Sequence, residues 1–246
     1  MRLVCLGTTG FHPNADRHTA CYLIPEVGVV LDAGTGLFRL ADYLETERVE
    51  VFLSHAHLDH VVGLTYLIEP FGLDAHDQVT IWGEEDKLIA VREHLFARSL
   101  FPVTPRYRYE TIRQTMPLPA GGTMRTFPLN HPGGAIGMRL DWPGHSMAYV
   151  TDTTADPNAE YVAQLAGVDL LVHEANFPDG QEQLAQLTGH SCLHDVARVA
   201  AAAGVGRLLV CHCDPYLTRD GDFDLAGAKE IYPAIEIARD LEVVEF

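Results

Sequence analysis

The chain has 246 residues, 47% apolar and 21% charged, and its 17 basic and 34 acidic side chains give a formal charge of −17 with neutral histidines. That composition excludes wholesale disorder and collagen-like fibres, and the length suits one large domain or two small ones with a core that needs no staples. So acidic a surface repels a phosphate backbone unless positive charge is concentrated locally or supplied by bound metal, which disfavours a general nucleic-acid-binding module. In chain order, short apolar runs at Leu3–Leu6, Cys21–Ile24 and Val27–Leu31 read as strands, with Pro25-Glu26 as the turn joining the last two. Gly34 and Gly36 open a helical stretch with Leu37, Leu40 and Leu44 on one face. Val49–Leu53 and Val79–Trp82 are strands, and Glu84–Arg98 is a helix with Leu88, Val91 and Leu95 facing the core. Residues 99–123 carry no assignable period. Strands follow at Met124–Phe127, Ile136–Leu140, Met147–Thr151 and Asp169–Val172, and Ser191 is the expected cap of a helix ending at Gly204. Leu208–Val210 and Glu242–Phe246 close the chain as strands. Mixed strand and helix signals along the whole length give a layered α/β or α+β class.

No apolar run reaches the roughly 18–20 residues that a membrane span needs. The opening Arg2–Leu6 run lacks the basic head and long apolar stretch of an export signal. Cys5, Cys21, Cys192, Cys211 and Cys213 are odd in number and form no CxxC pair, which argues against a disulfide framework or a zinc ribbon. The expected compartment is the reducing cytoplasm.

Polar residues gather at the predicted strand ends: Asp32, His55, Asp152, His173 and His212. The densest cluster is His55-Ala56-His57-Leu58-Asp59-His60, four potential ligands in six residues. His55 and His57 are two apart, so an extended chain turns them to one side, while Asp59 and His60 fall where a helix begins. Imidazole and carboxylate suit Zn²⁺, Mn²⁺ or Fe²⁺. Two ions would need further ligands, and His131, Asp152 and His212 are available at or beside strand ends.

These residues resemble the metallo-β-lactamase superfamily of hydrolases along nearly the whole chain. Leu6-Gly7-Thr8-Thr9-Gly10 and Asp32-Ala33-Gly34-Thr35-Gly36 resemble its opening motifs, His55-x-His57-x-Asp59-His60 its signature, and Asn130-His131-Pro132, Thr151-Asp152-Thr153 and Cys211-His212 its later ligand motifs. His173-Glu174-Ala175-Asn176 followed by Gly189-His190-Ser191 is similar to the phosphodiesterase branch, which includes RNase Z and cyclic-nucleotide phosphodiesterases. The resemblance implies a single hydrolase domain over 1–246, built as a four-layer αβ/βα sandwich of two mixed sheets with helices outside. It implies two divalent ions, zinc first, with manganese or iron as alternatives. His55, His57 and His131 would hold one, Asp59, His60 and His212 the other, and Asp152 would bridge them. A hydroxide shared by the ions would attack phosphorus. Asp59, His190 and Glu174 would be the catalytic groups, with His190 protonating the leaving oxygen and Glu174 orienting it. Asp32 would accept a hydrogen bond from a ligand histidine.

The expected substrate is a small phosphodiester or cyclic nucleotide, and a homodimer is compatible with the resemblance. Transfer RNA is expected to be an unlikely partner. RNase Z carries a long basic arm, and only twenty residues separate Asp152 from His173. Arg98, Arg106, Arg108 and Arg113 make one segment locally positive, and solvating a loop is their favoured role. The alternative activity is hydrolysis of a lactone or thioester at the same centre. A di-iron redox role fits less well, because His57 stands where such relatives commonly have Glu. A metal store without activity is the non-enzyme alternative. His173 and the cysteines flanking His212 read as core residues, and His18 is not among the expected site residues.

Overall fold

The computed structural model describes residues 1–217 and 222–246. The chain divides into two compact units, Met1–Ile112 with Arg239–Glu245, and Arg113–Ala238 with Phe246. Each unit is built on one seven-stranded mixed sheet flanked by helices, so the layered class expected from the sequence is the one found.

In the first unit the strands are β1 (Arg2–Gly7), β2 (Cys21–Ile24), β3 (Val29–Leu31), β4 (Val49–Phe52), β5 (Val79–Gly83), β6 (Arg108–Thr111) and the chain's last strand, β14 (Val243–Glu245). Their order is β14-β1-β2-β3-β4-β5-β6. The pairs from β14 to β3 are antiparallel and those from β3 to β6 parallel. Helices α1 (Leu40–Tyr43), α2 (Leu58–Val61), α3 (Ile68–Phe71) and α4 (Glu85–Ala90) lie among 3₁₀ and π turns. Leu37, Leu40, Val61, Leu64, Leu67, Leu88 and Val91 pack from this helical layer onto Val4, Leu6, Leu23, Val30, Val51 and Ile81 of the sheet. The helix expected over Glu84–Arg98 is shorter than its periodicity suggested: after Ala90 it widens into a π turn, Val91–Leu95. There the Phe96 N–H donates to the Val91 carbonyl, and the ring is buried against Phe101 and Tyr107. Burying that ring outweighs one more turn of regular helix.

The second unit orders its strands β13-β12-β11-β10-β9-β8-β7, where β7 is Thr115–Leu118, β8 Gly122–Leu129, β9 Ala135–Trp142, β10 His145–Val150, β11 Leu170–Glu174, β12 Arg207–Cys211 and β13 Ile235–Ile237. Strands β10 to β13 are parallel. Its helices are α5 (Glu182–Thr188), α6 (Leu193–Ala203) and α7 (Leu225–Ile231). Val196, Ala197, Val199, Ala200 and Ala203 of α6 join Ala148, Val150, Leu171, Leu208 and Val210 in one buried cluster. Gly204 ends α6 in the left-handed conformation, as its position suggested. Ser191 does not cap α6. Cys192 occupies that position, because the Ser191 hydroxyl donates to the Thr153 carbonyl at 2.6 Å and accepts from Ala155 N–H at 2.9 Å.

The parallel strands decide where functional side chains emerge. Leu31 of β3 pairs with Phe52 of β4, so Asp32 and Ser54-His55 leave one edge side by side. Val150, His173 and Val210 are likewise in register across β10, β11 and β12, and Asp152, Glu174 and His212 share an edge. Carboxyl ends of parallel strands are where open α/β sheets build their sites.

Candidate metal-ligand sets of the two units

In the first unit the strand ends close on a buried carboxylate. Asp32 has no solvent exposure and a left-handed φ of 57°. Its Oδ1 accepts the Ser54 N–H at 2.7 Å, and its Oδ2 accepts both the Ser54 hydroxyl and His60 Nδ1 at 2.7 Å. The single proton of the Ser54 hydroxyl is thereby used, so its oxygen accepts from His55 Nδ1 at 2.9 Å. Both imidazoles are thus fixed in the tautomer that places a lone pair on Nε2, the form a metal ion requires. The His57 ring stands edge-on to His55 at 4.6 Å between centroids, and the His60 ring lies 4.2 Å from His55. Asp59 Oδ2 is 3.4 Å from His60 Nε2 and also accepts the Phe11 N–H at 2.8 Å.

The second unit repeats the logic with different residues. His131 Nδ1 donates to the Gly189 carbonyl at 2.9 Å, which leaves its lone pair on Nε2. Asp152 turns one oxygen to each of two histidines: Oδ2 lies 3.7 Å from His131 Nε2, and Oδ1 3.2 Å from His212 Nε2. Asp152 and His212 sit at φ of 44° and 54°, a backbone region that non-glycine residues rarely adopt and that aims their side chains off the strand ends. Asp152, His190 and His212 offer ligand atoms within 4.8 Å of one another.

These donor sets fit divalent metal ions. Ligand bonds of 2.0–2.1 Å in tetrahedral geometry separate neighbouring ligand atoms by about 3.3 Å. The 3.4 Å between Asp59 and His60 and the 3.2 and 3.7 Å around Asp152 straddle that value. The donors are imidazole nitrogens and carboxylate oxygens with no thiolate among them, and His55, His60, His131, Asp152 and His212 are buried while His57 is exposed, a set that zinc, manganese and iron all accept.

His190 sits beside this set. Its Nδ1 lies 3.0 Å from Glu174 Oε1, and its ring stacks on His212 at 5.4 Å and meets His131 edge-on at 5.2 Å. Glu174 is fully buried and also accepts the N–H groups of Thr153, Asn176 and Ser191, so its carboxylate is rigidly held. His190 does not cap α6, whose cap, Cys192, lies two residues on. His173 is the core residue expected: fully buried between Tyr161 Oη and the Glu174 carbonyl, with burial lowering its pKa. All five cysteines are buried and none is in a disulfide. Arg106 and Arg108 pair with Asp74 and Asp77 on the first unit's surface, in keeping with a solvating role. The roles of Ser54 and of the Gly189 carbonyl went unpredicted. For Ser54 no local signal exists, whereas Gly189 sits at a φ of 75° that favours glycine.

The sequence pattern described as the beta-lactamase superfamily domain matches residues 28–213. The chain belongs to the metallo-β-lactamase superfamily. Within it, Ribonuclease Z of Salinibacter ruber is 30% identical across 99% of this chain and 94% of its own length. Ribonuclease Z of Ignicoccus hospitalis is 26% identical over 99% and 97%. A further Ribonuclease Z, of Brevibacillus brevis, is 38% identical over 40% of this chain and 32% of its own. Among solved structures, the metallo-β-lactamase fold protein YhfI of Bacillus subtilis superposes with a TM-score of 0.84 at 22% identity, over 99% of both chains. Human tRNase Z, short form, gives 0.79 at 19% identity over 100% and 99%. This superfamily member is therefore a hydrolase by kinship, and its His/Asp clusters are of metal-binding composition.

The relatives overturn one expectation. Transfer RNA was set aside on net charge and on the short Asp152–His173 interval, yet proteins named Ribonuclease Z and tRNase Z align along nearly the full chain. The physical error lay in using a sum: −17 describes the far field, whereas substrate capture depends on local potential, and bound ions add charge that the sum omits. One short interval likewise speaks for one place in the chain. Among the described residues no helix is long and apolar enough to cross a membrane.

Proposed function

We propose that this chain is a dinuclear metal-dependent phosphodiesterase, with residues 1–246 acting as a single hydrolase domain. The observation that carries the reading is Asp152, whose two oxygens face different histidines at the spacing of shared coordination. In this reading His55, His57 and His131 would hold one ion, Asp59, His60 and His212 the other, and Asp152 would serve both. Zinc is the first choice. Bound ions would supply Lewis acidity and lower the pKa of coordinated water. The chain's own residues then divide the remaining work. The hydrogen bonds of Asp32, Ser54 and Gly189 hold ligand imidazoles in the required tautomer. Glu174 fixes the His190 ring through Nδ1, and His190 gives a proton to the departing oxygen. The substrates are phosphodiesters. Small and cyclic diesters suit the reading, and the full-length kinship with Ribonuclease Z brings RNA into the same class.

The test is hydrolysis of bis(p-nitrophenyl) phosphate by zinc-loaded protein, with Asp152→Ala as control. Turnover by the wild type and none by the variant is expected. Two bound ions per chain without turnover of this or any RNA diester would overturn the reading in favour of lactone or thioester hydrolysis.

A further inference from the structure

The first unit displays exposed aromatic side chains that nothing so far explains, one of them beside Asp59. Phe11 is the clearest. The residue is 78% exposed, and its backbone sits at a φ of 58°, an outlier for a bulky side chain. Its N–H donates to Asp59 Oδ2 at 2.8 Å, so the residue stands next to a proposed metal ligand. The loop carrying it is firmly tied: the Thr8 and Thr9 N–H groups donate to the His18 carbonyl, and the Thr19 hydroxyl donates to the Asp59 carbonyl. Downstream of Phe11, Pro13, His18, Thr35, Phe38 and Tyr66 line an open cavity of about 330 Å³. Phe38 is 55% exposed, and Leu58, between ligands His57 and Asp59, is 66% exposed. The His18 and Phe38 rings lie 4.8 Å apart, and the Arg39 guanidinium covers one side of Phe38 at 5.1 Å. The cavity lining contains no Lys or Arg.

Exposed aromatics gathered at one place mark a contact surface. Here Phe11 adjoins a proposed metal ligand through its own N–H, and Phe38 and Tyr66 line a cavity of the same unit whose lining holds no Lys or Arg. We propose that Phe11, Phe38 and Tyr66 form a subsite that takes a flat aromatic ring of the substrate, a nucleobase or an aryl ester group, beside Asp59. The inference rests on the phosphodiesterase reading and adds what recognises the group attached to phosphorus. Flat rings gain from stacking on aromatic faces whichever base they are, so the subsite selects for aromatic character rather than sequence.

The experiment measures binding of phenylphosphonate and methylphosphonate to the zinc-loaded protein by calorimetry, for the wild type, Phe11→Ala and Phe38→Ala. The wild type should prefer the phenyl compound on the order of tenfold, as stacking contributes elsewhere. Both variants should lose most of that preference while methylphosphonate affinity and zinc content stay unchanged. An unaltered preference in both variants would overturn the inference, as would a two-chain mass in sedimentation that falls to one in Phe11→Ala, since the patch would then be a contact between copies. A preserved preference pattern with no diester turnover would sink the phosphodiesterase reading and leave the subsite standing. Steady-state kinetics then separate the sources of the ring. A raised KM for bis(p-nitrophenyl) phosphate or a cyclic nucleotide in the variants assigns it to small diesters, and a raised KM for a precursor tRNA assigns it to RNA.

Discussion

Asp32→Asn isolates how a buried carboxylate governs the proposed ligand histidines. The carboxylate accepts three bonds, two on Oδ2 from the Ser54 hydroxyl and His60 Nδ1 and one on Oδ1 from the Ser54 N–H. An amide has the same shape but only one acceptor atom. If its oxygen stays with Ser54 Oγ and His60, the NH₂ confronts the Ser54 N–H, donor against donor. If it flips, His60 must surrender its Nδ1 proton, and the tautomer that ligates through Nε2 is lost. Either way one charge-assisted hydrogen bond goes, at about 1.5–3 kcal/mol, and a buried donor is left unsatisfied at about 1–3 kcal/mol more. The expected loss is about 3–4 kcal/mol in metal-free protein, which corresponds to a fall in Tm of roughly 6–16 °C at this size. Removal of such a supporting partner typically weakens metal binding about 10–100-fold. Urea unfolding of the metal-free proteins reads the first quantity and competition against a chromophoric chelator the second. A variant within about 0.5 kcal/mol of wild type, with zinc affinity unchanged to about twofold, would refute the argument that Asp32 sets the histidine tautomers.

Three further outcomes are expected. Gly189→Ala should strip metal from the protein, because the new Cβ would collide with the Pro132 ring and lie 3.0 Å from His131 Nδ1, at a φ of 75° that Ala tolerates poorly; metal analysis after dialysis checks it, and full occupancy would contradict it. His190→Ala should slow diester turnover by about 10²–10⁴-fold with both ions retained, and Glu174→Gln should slow it less while flattening the pH profile; unchanged kcat in His190→Ala removes that residue from the chemistry. Burial lowers the His173 pKa below its usual 6.5, so the unfolded chain takes up that proton first as pH falls. The stability linked to this group is complete above about pH 6.5 and drains away below it until the folded pKa is passed. His173→Gln should reduce the fall in urea midpoint between pH 7.5 and 5, and an identical slope in the variant would show the acid sensitivity to arise elsewhere.

What remained illegible in the sequence has identifiable causes. Residues 99–123 gave no period because β6 and β7 are edge strands. No residue of β6 is fully buried, and β7 carries Pro117 with only Met116 and Leu118 buried. Helices α5 and α7 each bury one alanine, too little for an amphipathic signal. By contrast, Cys21–Ile24 was read with its observed ends, because all four residues are buried and flanking turns bound them. At the site, the His55–His60 cluster stood out because its residues are neighbours in sequence. Ser54 stood next to it unnoticed, since one serine before a histidine carries no statistical weight. The exclusion of tRNA failed for a related reason, a global sum having been asked a local question.

The sequence alone determined the class of the chain and supplied the candidate donor groups. Burial periodicity sets the layered elements, and imidazole and carboxylate groups gather at the strand ends. Only the tertiary structure decided which donor works with which partner. Asp32 reaches His60 across 28 residues and Glu174 reaches His190 across 16, while Asp152 shares its oxygens between His131 and His212. Those pairings follow from parallel strand register, which brings distant carboxyl ends to one edge, and register is fixed by packing the whole sheet rather than by any local run of residues.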